Sequence, residues 1–290
     1  MAVVATGFFD GVHLGHREVI NTLVSSARSR GEEAIVVTFA THPRAVLQQD
    51  ARSLRLLCSP QEKIDLLKAQ GVDRVEVLEF TRDFSRISAE QYLRDTVRDR
   101  FGGTAIVLGY DNRLGCDNLT PSLIEPLARG LGLDVVIVPA AHSAAHKLIS
   151  STKIRESLAA GRVEEAASML GYDYPVSGVV VGGKQLGRTI GFPTANMQLY
   201  EPLKLVPGRG VYLSEVRTLG RRFYGMTNVG DIIETHIFDF SEDIYGLDLT
   251  VQFKKRLRDG KRFCSIDELK SQLTCDEETC RAICAGLPRL

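Results

Sequence analysis

The sequence reads Ala2-Val-Val-Ala-Thr-Gly7-Phe8-Phe9-Asp10-Gly11-Val12-His13-Leu14-Gly15-His16 near its start, an apolar run that ends in glycines and two histidines. A segment with helical periodicity, His16–Arg30, follows at once. A strand, a glycine-containing turn and a helix in this order present backbone N–H groups and the positive end of the helix dipole to an anion. The stretch predicts a parallel α/β domain with a phosphate site at its first strand.

His13 and His16 are the candidate catalytic side chains of this turn. Two imidazoles can donate hydrogen bonds to phosphoryl oxygens, where charge accumulates in the transition state of group transfer. Such a site works by positioning and needs no covalent intermediate. The pattern therefore predicts nucleotidyl transfer from a triphosphate. A zinc site is the rival interpretation, although only Asp10 stands nearby as a further ligand.

The first half of the chain continues to alternate short apolar runs with helical stretches. Continuously apolar strands between helices indicate a parallel sheet that is covered on both faces. Ligands of such sheets bind outside the carboxyl ends of the strands, which is where Gly7–His16 lies. The further predicted strands are Ala34–Phe39, Arg74–Phe80, Ala105–Leu108 and Asp134–Pro139, and the further helices include Pro60–Gln70, Ala89–Phe101, Ser151–Ala160 and Val163–Leu170.

The second half has a different character. From Val176 to Phe253 the chain consists of short runs rich in Val, Ile, Thr, Tyr and Phe, broken by Gly and Pro. Such spacing predicts a small barrel or sandwich. One helix, at about Ile266–Leu273, is predicted near the end, and the stretch Asp276–Ala285 also has a helical pattern. We place the domain boundary near Asp173, which gives domains over residues 1–172 and 173–290.

Composition narrows the class of protein. The chain has 290 residues, 44% of them hydrophobic and 25% charged, with 36 basic and 36 acidic side chains. This balance predicts no general attraction to nucleic acid or to anionic membranes. No apolar run reaches the roughly 20 residues of a membrane span. Six cysteines without a Cys-x-x-Cys pair indicate a cytoplasmic protein. The sequence leaves open whether the chain forms a homo-oligomer.

Two further motifs carry chemistry. In Ile149-Ser150-Ser151-Thr152-Lys153-Ile154-Arg155, hydroxyl side chains precede a predicted helix and an arginine projects one turn in, an arrangement suited to phosphate. In Gly187-Arg188-Thr189-Ile190-Gly191-Phe192-Pro193-Thr194-Ala195-Asn196, the Thr and Asn two residues apart face one side of an extended segment. Their oxygens can serve a hard cation such as Mg²⁺ beside phosphate oxygens.

These motifs resemble known ones. The first and second are similar to motifs of the nucleotidylyl transferase superfamily, and Gly7–His16 resembles in particular the bacterial bifunctional riboflavin kinase/FAD synthetases. The run Gly187–Asn196 matches the riboflavin kinase motif residue for residue. The resemblance implies an FMN adenylyltransferase domain followed by a riboflavin kinase domain. We therefore expect a Rossmann-like parallel sheet, then a small Greek-key β-barrel with a terminal helix.

The resemblance also implies roles for individual residues and the ligands ATP, riboflavin, FMN, FAD and Mg²⁺. Three residues are expected to be catalytic, namely His13, His16 and Glu234, the last as the base of the kinase. The expected ATP contacts of the adenylyltransferase are Gly7, Phe8, Asp10, Gly11, Gly15, Ser150, Ser151, Thr152 and Arg155. The expected flavin contacts are His42, Asp111, Asn112 and Arg113. In the kinase, Gly187, Arg188, Gly191, Phe192 and Pro193 are expected to contact ATP, and Thr194 and Asn196 the metal.

The sequence departs from the family pattern at four places. Thr41 replaces a proline in Thr38–Pro43, and Leu114 replaces an aromatic residue in the loop Gly109–Gly115. The segments after Gly115 and Gly230 are shorter than in the family, which concerns the flavin contacts and the kinase. Two other functions therefore stay in consideration. One is a monofunctional adenylyl or cytidylyl transferase, against which Gly187–Asn196 argues, and the other is a flavin-binding or regulatory protein with poor turnover.

Overall fold

The computed structural model describes residues 1–42, 46, 54–141, 149–183 and 186–287. The chain packs as two compact units, Met1–Ser151 and Thr152–Leu290. The domain boundary between residues 172 and 173 stays a prediction. Within the described ranges, no helix combines the length and the apolar character that crossing a membrane requires.

The first unit is built on a five-stranded sheet whose strands are all parallel and follow the order β3-β2-β1-β4-β5. This confirms the predicted Rossmann-like sheet. The order reverses at β1, which pairs with β2 on one side and β4 on the other. Ligands bind at such a switch point. The strands are β1 Ala2–Thr6, β2 Glu33–Phe39, β3 Arg74–Leu78, β4 Gly103–Gly109 and β5 Asp134–Val138.

The central strand is apolar from Ala2 to Ala5 because helices cover both faces of the sheet. Ala2 and Val4 pack into one hydrophobic core, whereas Val3 and Ala5 pack into another. Successive side chains of a strand point to opposite faces, so a sheet with two cores needs apolar residues at every position. The continuous apolar pattern that predicted a covered sheet has this origin.

Helices of the first unit begin at recognisable caps. The long helix after β1 starts at Leu14, two residues before the predicted start at His16, because the His13 side chain accepts the His16 N–H and acts as the N-cap. Ser59 and Glu62 form a capping box at the next helix. The helices are α1 Leu14–Arg30, α2 Pro60–Lys68, α3 Ala89–Gln91, which continues as a π-helix over Tyr92–Arg100, and α4 Pro121–Gly130, with short 3₁₀ turns at Asp10–Val12 and Phe84–Arg86.

The second unit contains a closed six-stranded antiparallel barrel with the cyclic order β10-β7-β6-β11-β8-β9. Of the two folds that the residue pattern allowed, the barrel is the one observed. Its helices are α5 Ser151–Ala159, α6 Val163–Leu170, α7 Leu186–Thr189 and α8 Ile266–Cys284. Its strands are β6 Tyr174–Val181, β7 Ala195–Leu199, β8 Gly210–Thr218, β9 Arg221–Val229, β10 Ile233–Ile237 and β11 Asp248–Arg258.

The terminal helix packs against the barrel. Cys280 of α8 lies in one cluster with Leu213, Met226 and Phe238. This contact lies in the second predicted helical stretch, Asp276–Ala285, which the structure joins to Ile266–Leu273 in one helix. The apolar face of an amphipathic helix is stabilised mainly by tertiary packing, and the contacts of Cys280 stabilise the last turns of this helix.

Candidate active sites

The two histidines of the first unit lie face to face. Their ring centroids are 3.6 Å apart with an interplanar angle of 16°. The His16 backbone N–H donates to Nδ1 of His13 at 3.2 Å. A ring nitrogen that accepts carries no proton, so a neutral His13 carries its proton on Nε2. The pair stands at the N-terminus of α1, where the helix dipole favours an anion.

The turn before the histidines has the tight geometry that its glycine predicts. Gly11 has φ 78° inside the 3₁₀ turn Asp10–Val12. Glycine adopts this left-handed backbone without strain. The turn brings Val12 and His13 into buried positions between β1 and α1. The backbone of the predicted phosphate site is therefore held in place by its own sequence.

The carboxylate of Asp10 accepts backbone hydrogen bonds from a segment distant in the sequence. Its carboxylate accepts the Leu57 N–H at 3.0 Å on both oxygens and the Cys58 N–H at 3.1 Å on Oδ1. The Cys58 thiol in turn accepts the Gly11 N–H at 3.0 Å. Asp10 is 4% exposed. These bonds fasten the histidine turn to the segment before α2, a role that the sequence pattern did not disclose.

The second phosphate motif lies at the start of α5. The Ser151 hydroxyl donates to the Asp10 backbone carbonyl at 3.2 Å, so the structure brings two predicted ATP contacts together. Ser150 directly precedes the helix, and Thr152 occupies its first turn with an exposed side chain. Arg155 follows one turn later and is half-buried. The motif thus has the helix N-terminal placement that was predicted.

A cavity of about 620 Å³ opens beside β1 in the first unit. Gly7 and Phe8 form part of its wall, as do Asn112 and Arg113, so four of the predicted site residues line it. The Asn112 amide donates from Nδ2 to the Thr6 carbonyl at 3.0 Å. This bond fixes the loop after β4 to the end of β1.

The remaining predicted flavin contacts lie outside the lining of this cavity. His42 packs edge-on against Phe8, which lines the cavity, with ring centroids 4.3 Å apart at 61°. Asp111 is exposed and does not line the cavity. Pro43, the last residue of the motif that contains His42, lies outside the described residues.

Three aromatic residues that were not predicted as site residues also line the cavity. Phe80 and Phe84 follow β3, and Tyr92 opens the π-helix. The Tyr92 hydroxyl lies 2.9 Å from Thr6 Oγ1, and burial raises the pKa of Tyr92 to about 12. The phenol is therefore neutral at physiological pH. The i, i+4 spacing of Phe80 and Phe84 just beyond a strand end was the available signal.

Glu234 occupies the centre of a polar row in the second unit. On β10 it pairs with Asn196 of β7 on one side and with Asn228 of β9 on the other. Cross-strand partners share one face of the sheet. Asn228 Nδ2 lies 3.4 Å from Glu234 Oε2, the only hydrogen bond of this carboxylate among the described residues. A half-buried carboxylate in this setting can accept a proton from a substrate hydroxyl.

Asn196 and Thr194 differ in exposure. Asn196 is 7% exposed, and its Oδ1 atom finds no partner within the described part of the chain. Thr194 precedes β7, is exposed and lines two cavities, one of about 580 Å³ and one of about 280 Å³. The buried Asn196 oxygen could accept a hydrogen bond or bind a cation, and the Thr194 hydroxyl lies close to it in sequence and borders both cavities. Such a pair is suited to binding a ligand.

The glycine-rich loop before β7 closes tightly on itself. The Phe192 N–H donates to the Gly187 carbonyl at 2.8 Å, and a Cβ atom at Gly187 would lie 2.2 Å from the Phe192 carbonyl oxygen. Only glycine fits this approach. Phe192 is buried and lines the larger cavity, Arg188 and Pro193 line the smaller one, and Gly191 is exposed. The loop thus separates the two cavities.

The larger cavity combines Glu234 with a rim of positive charge. His236, two residues on, donates from Nδ1 to the Pro193 carbonyl at 2.8 Å and so ties β10 to the glycine-rich loop. The opposite wall is the segment after β11, whose Lys261, Arg262 and Phe263 line the cavity. The cavity offers an aromatic surface, a carboxylate and cations, which suits an aromatic substrate and phosphate groups.

The segment after Gly230 forms a compact turn. Val229 of β9 pairs directly with Ile233 of β10, and the Gly230 N–H donates to the Ile232 carbonyl at 3.2 Å. Asp231 in this turn forms an ion pair with Arg209 at the rim of the larger cavity. The short segment that departed from the family pattern therefore closes as an ordered hairpin.

Comparison with known proteins covers both units. The family model for FAD synthetase matches residues 1–153, and the family model for riboflavin kinase matches residues 170–284. A bifunctional riboflavin kinase/FMN adenylyltransferase of Listeria monocytogenes is 35% identical over 98% of this chain and 93% of its own length. The protein of the same description from Escherichia coli is 34% identical over 96% of this chain and 91% of its own length.

A solved structure shares the whole architecture. A crystal structure described as a macrolide-efflux protein from Streptococcus pneumoniae superposes with a TM-score of 0.90 at 34% identity. The match covers 97% of this chain and 93% of that one. The parallel sheet and the closed barrel therefore occur together in a relative of similar length.

Proposed function

The chain belongs to the family of bifunctional riboflavin kinase/FMN adenylyltransferases, and on that premise we propose how its two units divide the two reactions. It is a transferase that phosphorylates riboflavin to FMN and adenylylates FMN to FAD with release of pyrophosphate, using ATP in both steps. We assign adenylyl transfer to residues 1–172 and the kinase reaction to residues 173–290. The ranges matched by the two family models support this division.

In adenylyl transfer, a phosphate oxygen of FMN attacks the α-phosphorus of ATP and pyrophosphate leaves. His13 and His16 stand at the N-terminus of α1, where their N–H groups can stabilise the charge on the reacting phosphoryl oxygens. Gly11 and Gly15 keep the backbone accessible to the triphosphate. Ser150 and Ser151, the last residues of the first unit, would hold its other phosphates.

The cavity of about 620 Å³ is the proposed site of the FMN ring system. Its aromatic walls suit a planar tricyclic ring, which prefers offset or edge contacts with aromatic side chains. Asn112 and Arg113 supply the polar groups at its edge. The position of Phe8 in both this wall and the histidine turn supports a flavin phosphate close to the imidazoles.

In the kinase reaction, Glu234 is the proposed base for the 5′-hydroxyl of riboflavin. The carboxylate lines the cavity of about 580 Å³, which has room for the flavin. The proton passes to Glu234 as the hydroxyl oxygen bonds to the γ-phosphorus of ATP, and ADP leaves. The adjoining cavity of about 280 Å³, with Arg188 and Pro193 in its wall, is the proposed nucleotide site.

The residues present fit Mg²⁺ as a cofactor of the kinase. Thr194 and Asn196 offer two neutral oxygens, and the buried Oδ1 of Asn196 has no hydrogen-bond partner among the described residues. A hard cation accepts such ligands when the phosphates of its nucleotide complete the shell. When bound, Mg²⁺ would neutralise phosphate charge in the reaction. No cluster of three acidic, Cys or His side chains offers another metal site within the described residues.

Small molecules are the proposed partners of this enzyme. The equal numbers of basic and acidic side chains, 36 each, support a protein that binds neither nucleic acid nor membranes through its net charge. All six cysteines are free thiols, which supports a reducing cytoplasmic location.

One observation carries this proposal: each unit holds a cavity of its own, and four of the residues predicted for its reaction line each cavity. The test is incubation of the purified chain with ATP and Mg²⁺ and either riboflavin or FMN, followed by separation of the products. Riboflavin should yield FMN and FAD, and FMN alone should yield FAD. Tight flavin binding without product would contradict the proposal and favour a regulatory flavin-binding protein.

A further inference from the structure

Lys63 is a buried lysine that the reactions described above do not use. It lies on the inner face of α2 with 3% of its surface exposed. Its Nζ donates to the Phe39 carbonyl at 2.9 Å and lies 3.9 Å from the centroid of the Phe8 ring. The ammonium group therefore touches two residues that come from different strand ends, since Phe8 follows β1 and Phe39 ends β2.

This placement is costly for a lysine. Burial lowers the pKa of Lys63, and the neighbouring Cys58 and Asp10 counteract this by favouring the charged form. A methionine could fill the same space without taking an ammonium group out of water. Packing alone therefore does not explain a cation at this position. Its specific contacts are the carbonyl of Phe39 and the face of the Phe8 ring.

Both residues that Lys63 contacts belong to the proposed FMN site. Phe8 and Phe39 line the cavity of about 620 Å³. Phe8 also carries the His42 ring on its edge at 4.3 Å and lies five residues before His13. A cation held over an aromatic face restrains the ring, and the attraction strengthens where water is excluded. A shift of Phe8 would change both the cavity wall and the approach to the histidines.

We propose that Lys63 is a positioning residue for adenylyl transfer, which orients Phe8 against the end of β2 and thereby shapes the wall that receives FMN. The inference rests on the proposed function of this cavity. Lys63 does not line the cavity, so its effect passes through Phe8 and not through contact with the substrate.

The first test compares Lys63→Met with Lys68→Met, which removes an exposed lysine from the end of the same helix. Lys63→Met should raise the KM for FMN in FAD formation about tenfold, equivalent to about 1.4 kcal/mol, with a smaller change in kcat. The KM for riboflavin in the kinase reaction should stay unchanged, because that site belongs to the other unit. Lys68→Met should change none of these constants.

A double-mutant cycle with Phe8→Leu tests the route of the effect. If Lys63 acts through the Phe8 ring, Lys63→Met should add little to the KM increase that Phe8→Leu causes alone. Additive effects would overturn the proposed route. Lys63→Arg keeps a cation at the site and should retain part of the FMN affinity; this variant serves the same cycle if the methionine variant does not fold.

The pH dependence of the KM for FMN is a further test, because a lysine that only stabilises the fold would not change it. Since burial lowers the pKa of Lys63, its proton should be lost at lower pH than from an exposed lysine, against the opposing influence of Asp10 and Cys58. The KM for FMN of the unmodified protein should rise on the alkaline side, and Lys63→Met should lack this rise.

The results separate two failures. FAD formation with an unchanged KM for FMN in Lys63→Met would refute the role of Lys63 and leave the proposed function intact. No FAD formation by the unmodified protein would refute the proposed function itself.

Discussion

Arg258 and the buried Asp276 form an ion pair that joins the end of β11 to α8. Arg258 Nε lies 3.0 Å from both carboxylate oxygens, and Nη2 lies 2.6 Å from Oδ2. The same guanidinium donates from Nη1 to the Asp259 carbonyl at 3.0 Å and lies over the Phe263 ring. Asp259 and Phe263 line the proposed riboflavin cavity, so the pair fixes one wall of the kinase site.

Asp276→Asn should therefore weaken both the second unit and its substrate binding. Removal of the Asp276 charge leaves the guanidinium of Arg258, 21% exposed, without its partner, which costs about 1–3 kcal/mol. Calorimetry should show a lower unfolding temperature for the second unit, and the KM for riboflavin should rise. Asp239→Asn breaks an equally bidentate pair with Arg281, but Asp239 is 78% exposed, so this control should cost about 0–1 kcal/mol. Equal losses in both variants would contradict the structural assignment.

Glu234→Gln tests the base of the kinase reaction. Loss of the general base should lower kcat for riboflavin phosphorylation by about 10²–10⁴-fold. The conversion of added FMN to FAD should proceed at the normal rate, because Glu234 belongs to the barrel. Initial rates with riboflavin and with FMN measure the two reactions separately. Glu278→Gln, at an exposed position of α8, is the control, and an equal rate in both variants would remove Glu234 from the mechanism.

Asp10→Asn distinguishes a structural from a ligand-binding aspartate. An amide presents one acceptor oxygen and one donor group to the N–H groups of Leu57 and Cys58, so the variant should lose about 1–3 kcal/mol of stability in the first unit. Asp111→Asn, at an exposed site, should leave the unfolding midpoint unchanged. Urea titration of FAD-forming activity gives both midpoints. A stable Asp10→Asn protein with a raised KM for ATP would instead make Asp10 a direct nucleotide contact.

The cysteines of α8 should differ sharply in reactivity. Burial raises the pKa of Cys280 to about 12, whereas Cys275 on the same helix is exposed. Only the thiolate reacts with alkylating reagents, so at pH 8 Cys275 should be modified and Cys280 should not. A folded-state pKa above the unfolded one contributes stability below the unfolded pKa of about 8.5, and this contribution is lost as pH rises towards 12. Peptide mass spectrometry after native alkylation checks the order, and early modification of Cys280 would contradict its burial.

The fold could be predicted from short sequence patterns because the spacing of apolar residues follows directly from which side chains are buried. The apolar run Ala2–Thr6 is buried on both sides of the sheet, and the strand endings at Phe39 and Gly109 bring the expected loops to one edge. The motif Gly187–Asn196 lies at the glycine-rich loop and the start of β7. Each of these features is formed by residues that are close together in the sequence. The spacing of apolar residues or the identity of the motif residues is therefore enough to predict it.

The contacts that hold the sites together were not predictable in the same way. Asp10 meets Leu57 across 47 positions, Lys63 meets Phe39 across 24, and Arg258 meets Asp276 across 18. Asp10 was expected to contact ATP, and Lys63 and Arg258 had no predicted role, because partners this distant in the sequence are known only once the chain is folded.

The central claim is that one chain carries two independent reaction sites, with the stacked pair His13 and His16 serving only adenylyl transfer. The most direct measurement is the product distribution of the His13→Ala/His16→Ala variant with riboflavin, ATP and Mg²⁺. The account predicts that FMN accumulates at the normal rate while FAD formation falls below detection. Loss of FMN formation together with FAD formation, in a variant whose thermal unfolding is normal, would contradict it.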